Sequence, residues 1–181
     1  MDYKSLKTLE YHKIIEKLSS YAGSEAARKM CADLKPMTDI NSINDALTQT
    51  SDALSRIYAK GSVSFSGVTN IIDSIKRLEV GSTLNTHELL NISAVLTTAA
   101  AAKSHYEETN DSLTDYFNSL EPLTPLNTQI KNCIISEEEI SDDASGTLRD
   151  IRRQMRISAD RIHTELNKIL NSPSTRSCLQ D

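Results

Sequence analysis

The sequence predicts an all-α fold, a multi-helix bundle that ends in a long lever-like helix. Glycine and proline are scarce, with five and four copies in 181 residues, so long stretches lack the residues that most often interrupt helices. Within those stretches apolar residues recur about every three to four positions, which places them on one face of a helix. No stretch alternates apolar and polar residues as a half-buried strand would.

Three helices are predicted in the N-terminal third. The first carries an apolar face made of Leu6, Leu9, Ile14, Leu18 and Tyr21. A short second helix lies within 24–34 and stops before Pro36, because proline disfavours the helical conformation in the residue before it. Asp39 is a suitable cap for a long third helix. That helix extends to Lys60, where Gly61 supplies the left-handed residue that ends many helices. Its apolar stripe consists of Ile40, Ile43, Leu47, Leu54 and Ile57.

The next segment predicts a loop and two more helices. Residues 61–68 form the loop, with Val63 and Phe65 as a possible extended pair. A helix over 69–79 follows and ends at Gly81. Thr86 is expected to cap the fifth helix, which continues through the alanine run 99–102 because alanine has the highest helix propensity. This helix is expected to fray near 109–112.

Residues 115–143 carry weaker patterns. Residues 115–125 predict a break with a short turn, because two prolines fall within them. Residues 127–135 fit a helix or a strand equally well, since their isoleucines match both periods. The acidic stretch 137–143 predicts a solvated loop or a β-bend.

The last helix is the most regular element of the sequence. Ser145 can cap it, and its apolar stripe is Leu148, Ile151, Met155, Ala159, Ile162, Leu166 and Ile169. The mean step of about 3.5 residues is typical of helices that pack at a shallow angle. The predicted domains are therefore a helical core, 1–144, the long basic helix, 145–171, and a polar tail, 172–181. We expect the chain's own helices to leave part of this stripe uncovered.

Charge is distributed unevenly. Residues 145–181 carry a net charge of +3, whereas the rest of the chain carries −8. Two interpretations exist for Arg149, Arg152, Arg153 and Arg156. They pair with the acidic residues of 137–143, or they bind nucleic-acid phosphate. The first is favoured, because surface charge runs usually form a solvated face and no aromatic residue lies among these arginines to stack a base.

No motif for catalysis or cofactor binding is present. The glycines do not form a phosphate-binding loop, and the four histidines lack the spacing of a zinc site. His163 and Cys178 could be read as a nucleophilic pair, but nothing in the sequence fixes their geometry. Three widely spaced cysteines, and the lack of a secretion signal or an apolar span, predict a reduced cytoplasmic protein. We expect no catalytic, cofactor-binding or metal-ligating residue in the chain, and nucleic-acid-binding residues are not identified.

The order of several short motifs resembles the N-terminal region of the bacterial MutS-II family, MutS paralogues that lack the mismatch-recognition domains. The resemblance covers nearly the whole chain and rests on 8–18, 34–36, 65–68, 76–84, 88–90, 139–145, 148, 151–154 and 179–181. Its most specific part is the acidic stretch that leads into Ser145, Leu148 and Ile151-Arg152-Arg153.

This resemblance implies the first part of a MutS core and lever domain, whose last helix rises as a lever arm towards a clamp. The family's full-length proteins resemble dimeric ABC-type ATPases with a C-terminal Smr nuclease domain. They act on branched DNA to suppress recombination, or on collided ribosomes to rescue them. ATP and Mg²⁺ would bind, and the endonuclease would act, outside this chain. The partners implied are the remainder of the same polypeptide, a second copy, and DNA or the ribosome, with no membrane.

Two other functions are compatible with the residues. The chain could be a stand-alone helical module that binds a protein partner through the Ala99–Ala102 face or the basic helix. It could also be an enzyme of an unrecognised type, which is disfavoured because no activated nucleophile, metal set or phosphate cradle is visible.

Overall fold

The computed structural model describes residues 3–106 and 109–172. Within them the fold is all-α, as predicted, with α-helices and no strand or sheet. The helices are α1 (Tyr3–Thr8), α2 (Tyr11–Ser20), α3 (Glu25–Ala32), α4 (Ile40–Lys60), α5 (Ile72–Glu79), α6 (Thr86–Tyr106), α7 (Thr114–Asn118), α8 (Thr124–Cys133) and α9 (Gly146–Asn171). The chain divides into two compact units, one up to residue 131 and one from residue 132 onward. The predicted tail, 172–181, lies outside the described residues except for Ser172.

The predicted first helix is wrong as a single element, because it is broken into α1 and α2. Glu10 lies between them in the left-handed conformation, with φ of 52°. Its carboxylate accepts a hydrogen bond from Lys13 Nζ at 2.6 Å. The break coincides with the five-residue step from Leu9 to Ile14, which is longer than one helical turn.

Side-chain caps begin α3 and α4, and the cap of α4 is the predicted Asp39. Ser24 accepts a hydrogen bond from the backbone N–H of Ala27, and Asp39 accepts one from the N–H of Ser42 at 2.8 Å. Gly61 ends α4 with φ of 84°, a conformation that glycine adopts without steric cost. Val63 and Phe65 do not form a strand, because residues 61–71 take part in no β-strand or β-bridge.

The start of α6 differs from the prediction. Asn85, not Thr86, is the cap: its side chain accepts a hydrogen bond from the N–H of Glu88 at 2.9 Å. The carboxylate of Glu88 accepts one from the N–H of Asn85 at 3.0 Å. This reciprocal pair forms a capping box. The hydrogen bond from the N–H of Asn85 is the main reason that the pKa of Glu88 is lowered.

The core of the first unit lies around α6. Its buried apolar residues are Leu96, Ala102, Tyr106 and Ile130. A buried polar network joins α6 to α8, because Ser93 donates a hydrogen bond to Asn127 Oδ1 at 2.6 Å and Asn127 Nδ2 donates to Thr97 at 3.0 Å. The segment 127–135, which fitted either helix or strand, thus lies in α8 up to Cys133, and Ile134 forms an isolated β-bridge. The break before it contains the short helix α7.

The second unit consists of the end of α8, a turn and α9. Ile134 and Ile140 form an isolated antiparallel bridge, which closes the acidic loop between them. A single 3₁₀ turn, Asp142–Ala144, leads into α9. Ser145 precedes α9 as predicted, but its side chain makes no capping hydrogen bond.

Candidate functional site

The candidate site is the base of α9 together with the apolar face of that helix. Backbone hydrogen bonds fix the turn before the helix: the N–H of Ser141 donates to Cys133 O at 2.8 Å, and the N–H of Ile135 donates to Glu139 O at 3.0 Å. The bridge therefore holds Asp142 and Asp143 at a defined place next to the first turns of α9.

Three of the four arginines bind this acidic turn. Arg152 donates to Asp142 Oδ1 at 2.6 Å and to Ile140 O at 2.7 Å. Arg156, one turn further along, donates to Asp142 Oδ2 at 3.0 Å. Arg149 pairs with Asp143. The interpretation of paired arginines is confirmed for these three, since Asp142 binds Arg152 and Arg156 and Asp143 binds Arg149.

Arg153 differs from its neighbours. It is exposed, and no ion pair forms to it within 3–106 and 109–172. The structure does not test whether any of the four arginines contacts nucleic acid.

The same hydrogen bonds favour the ionised form of the Asp142 carboxyl group. The hydrogen bond from Arg152 is the main reason that the pKa of Asp142 is lowered, and the bond from Arg156 adds to it against partial desolvation. A lowered pKa means that the folded state favours the ionised carboxylate. The contact between the turn and α9 is therefore complete at neutral pH and is lost as pH falls through the lowered pKa.

The apolar stripe of α9 is open to solvent from Ile151 onward, as expected from the sequence, and Leu148 is half-buried. No residue of α9 is buried, and every residue from 153 to 171 is exposed. Ile162 retains 61% of its full exposure and Leu166 retains 49%. From Ile151 to Ile169 the stripe is thus available to a partner along about 27 Å of helix, at 1.5 Å per residue.

The histidines lie at separate places along the chain. His87 lies at the start of α6 and His105 at its end, whereas His163 lies on α9. Cys178 is outside the described residues, so the His163–Cys178 pair is not tested. Among the residues that the structure describes, no group of three or more His, Cys, Asp or Glu side chains could hold a metal ion.

A buried ion pair that sequence reasoning missed lies in the first unit. Arg56, on α4, is 3% exposed. Its Nε donates to Asp111 Oδ2 at 2.7 Å and its Nη2 donates to Asp111 Oδ1 at 2.5 Å. The guanidinium carbon also lies 4.6 Å from the ring centre of Phe117 and 5.2 Å from that of Tyr106. Because 55 residues separate Arg56 from Asp111, no local pattern indicates the pair.

No helix among the described residues is long and apolar enough to cross a membrane.

No protein-family model matches the chain. The chain is 55% identical over 181 residues to a protein of Lachnospira eligens named endonuclease MutS2. It is 50% identical over 191 residues to endonuclease MutS2 of Lachnoclostridium phytofermentans, and 46% identical over 186 residues to that of Agathobacter rectalis. Each alignment covers 100% of this chain but 23% or 24% of the relative. The chain therefore spans about a quarter of the length of the curated relatives it matches, and it corresponds to their N-terminal region.

Proposed function

Because the chain belongs to the MutS2 family, as a counterpart of its N-terminal region, we propose that it is a non-catalytic core and lever segment. In this proposal it couples ATP state to the movement of a clamp on branched DNA or on collided ribosomes. ATP and Mg²⁺ bind elsewhere in the polypeptide, and the protein works in the cytoplasm as a homodimer.

The observation that carries this proposal is the geometry of α9, which is fixed at its base and open along its apolar face. A lever must be stiff, and an α-helix is stiff because every interior backbone group is hydrogen-bonded. It must also be held where force enters, and Asp142 binds two arginines of the helix at that end. Finally, a lever needs a surface on which the rest of the polypeptide can pack, and the exposed apolar stripe of α9 offers one.

The alternative of a stand-alone interaction module has less support at the first of its two surfaces, the Ala99–Ala102 face. Ala102 is fully buried, and Ala99 and Ala100 are half-buried. Ala101 is exposed, so three of the four alanines contribute to the core around α6 and one small side chain remains open to a partner. The basic helix remains as a surface, but its binding role is the one already contained in the lever proposal.

The test is a chimera in which this chain replaces the corresponding region of the Lachnospira eligens relative, which is 55% identical to it. Ala159→Pro breaks α9 near its middle, because proline removes a backbone hydrogen bond and clashes with the preceding turn. We expect basal ATP hydrolysis to stay unchanged and its stimulation by branched DNA or ribosomes to be lost. Ser158→Ala, at the neighbouring exposed position, is the matched control and keeps the stimulation.

A retained stimulation in the Ala159→Pro chimera would overturn the lever proposal. Loss of basal hydrolysis as well would also count against it, because a segment that only transmits movement leaves the ATPase site intact.

A further inference from the structure

An open groove lies among the first three helices, within the first unit. Its volume is about 580 Å³, within the range of ligand-sized pockets. The apolar part of its lining consists of Leu6, Tyr11, Ile15, Ala32 and Leu34. The Tyr11 hydroxyl donates to Leu34 O at 3.2 Å, which ties α2 to the residues after α3 and holds this side of the groove in place.

The helices around the groove bury little of their own apolar surface. α1, α2 and α3 have 6, 10 and 8 residues, and helices shorter than about 12–15 residues are marginal by themselves in water. Neither α2 nor α3 contains a buried residue. An apolar occupant of the groove would therefore supply the packing that these helices lack.

Charge distinguishes this segment from the residues that follow it. Residues 3–37 contain seven basic and four acidic side chains, for a net charge of +3, whereas residues 38–144 carry −10. Lys7 lines the groove. Lys4 lies one turn before it on the same face of α1, and Lys35 follows the lining residue Leu34. All three lysines are exposed, and none has an ion pair within the described part of the chain. Two carboxylates lie on the same rim, Glu16 in the lining and Asp33 directly before Leu34, so the three lysines leave it with a net positive charge.

We propose that this groove binds an amphipathic helix of net negative charge from a partner protein. The apolar stripe of that helix would pack on Tyr11 and Ile15, and its carboxylates would face Lys4, Lys7 and Lys35. An amphipathic α-helix suits such a groove, because it presents a stripe of apolar side chains while its own backbone hydrogen bonds stay satisfied. This surface is separate from the lever proposal, since it involves no residue of α9.

The test uses the full 181-residue chain and two fluorescein-labelled amphipathic peptides of about 18 residues, or five helical turns. Both peptides have the same leucine stripe, and their polar face is glutamate in one and lysine in the other. Fluorescence anisotropy gives the Kd of each. We expect the acidic peptide to bind at least about ten-fold more tightly than the basic one, and the difference to shrink as added salt screens the charges.

Two substitutions locate the binding in the groove. Ile15→Asp places a charge in the lining and should weaken the acidic peptide at least about ten-fold, by the apolar contact it removes. Ile14→Asp, at the adjacent exposed position outside the lining, is the matched control and should leave the Kd within about two-fold. Lys7→Glu changes only an exposed side chain, so it keeps the fold while weakening the acidic peptide.

Equal affinity for both peptides, or no binding of either, would overturn the proposal, and so would an unchanged Kd in Lys7→Glu. Sedimentation velocity on the free chain examines a second copy as the occupant. Self-association that Ile15→Asp abolishes would replace the acidic partner by a second copy and would likewise overturn it.

Discussion

The buried pair between Arg56 and Asp111 allows a specific stability prediction. Asp111→Asn removes the negative charge but keeps the side chain's shape and its Oδ1, which accepts a hydrogen bond from the N–H of Leu113 at 2.9 Å. The Arg56 side chain is 2% exposed and that of Asp111 is 16% exposed, so water cannot replace the lost partner. Removing one partner of such a pair leaves a buried charge uncompensated and costs about 3–5 kcal/mol.

We expect the lower end of that range, about 3 kcal/mol, because asparagine retains one acceptor for the guanidinium. For a domain of this size this corresponds to a decrease in Tm of about 6–12 °C. Urea denaturation followed by far-UV circular dichroism measures the free energy of unfolding directly. Asp73→Asn is the matched control: Asp73 is exposed and lies 4.0 Å from Lys76, so its loss should change stability by less than about 0.5 kcal/mol.

The same variant has a pH signature. The hydrogen bond from Arg56 is the main cause that lowers the pKa of Asp111. The stability from this pair is therefore fully present above the usual carboxyl pKa and is lost as pH falls through the lowered value. Asp111→Asn should remove that part of the acid dependence. A loss of less than about 1 kcal/mol at neutral pH, or an unchanged acid profile, would refute the reasoning.

Three further predictions concern other contacts. Asp142→Asn should increase hydrogen exchange in the first turns of α9 at neutral pH, because it weakens both arginine contacts. The wild-type chain should show the same increase only as pH falls through the lowered pKa of Asp142, and equal protection in the two chains would contradict this. Asn127→Ala should lower the free energy of unfolding by about 1–3 kcal/mol in urea titrations, because it leaves the buried hydroxyl of Ser93 without its acceptor. An effect within error would mean that this network contributes nothing. Asn85→Ala should cost about 1 kcal/mol by thermal denaturation, since it removes the cap of α6. Thr86→Ala should cost less, and the reverse order would favour the cap predicted from the sequence.

The sequence predicted the elements whose signals are local. Both ends of α4 followed from Asp39 and Gly61, because a capping carboxylate and a left-handed glycine act within one turn of the helix they bound. The extent of α9 followed from its uninterrupted apolar spacing. The arginine contacts at its base were also within reach, since Asp142 lies only 10 residues from Arg152.

What the sequence did not predict depends on residues far apart or on competing local choices. Arg56 lies in an amphipathic helix where exposure is the usual state of arginine, and only the fold brings Asp111 to it. Thr86 and Asn85 are both good caps, and the choice of Asn85 depends on the reciprocal bond with Glu88. The groove among α1–α3 depends on the break at Glu10, where the five-residue step from Leu9 to Ile14 was assigned to one continuous helical face.

The surroundings of Arg56 restrict what position 56 can hold. Its guanidinium group is planar, with aromatic rings near the central carbon and a carboxylate along one edge. The Nη1 atom of this group is buried without a hydrogen-bond partner among the described residues. Lysine would carry the same charge, but its rounded ammonium cannot grip both carboxylate oxygens in parallel or lie flat against a ring. Arg56 therefore joins α4 to the segment that carries α7. A substitution that keeps only its charge would lose the paired hydrogen bonds and ring contacts that hold these two elements together.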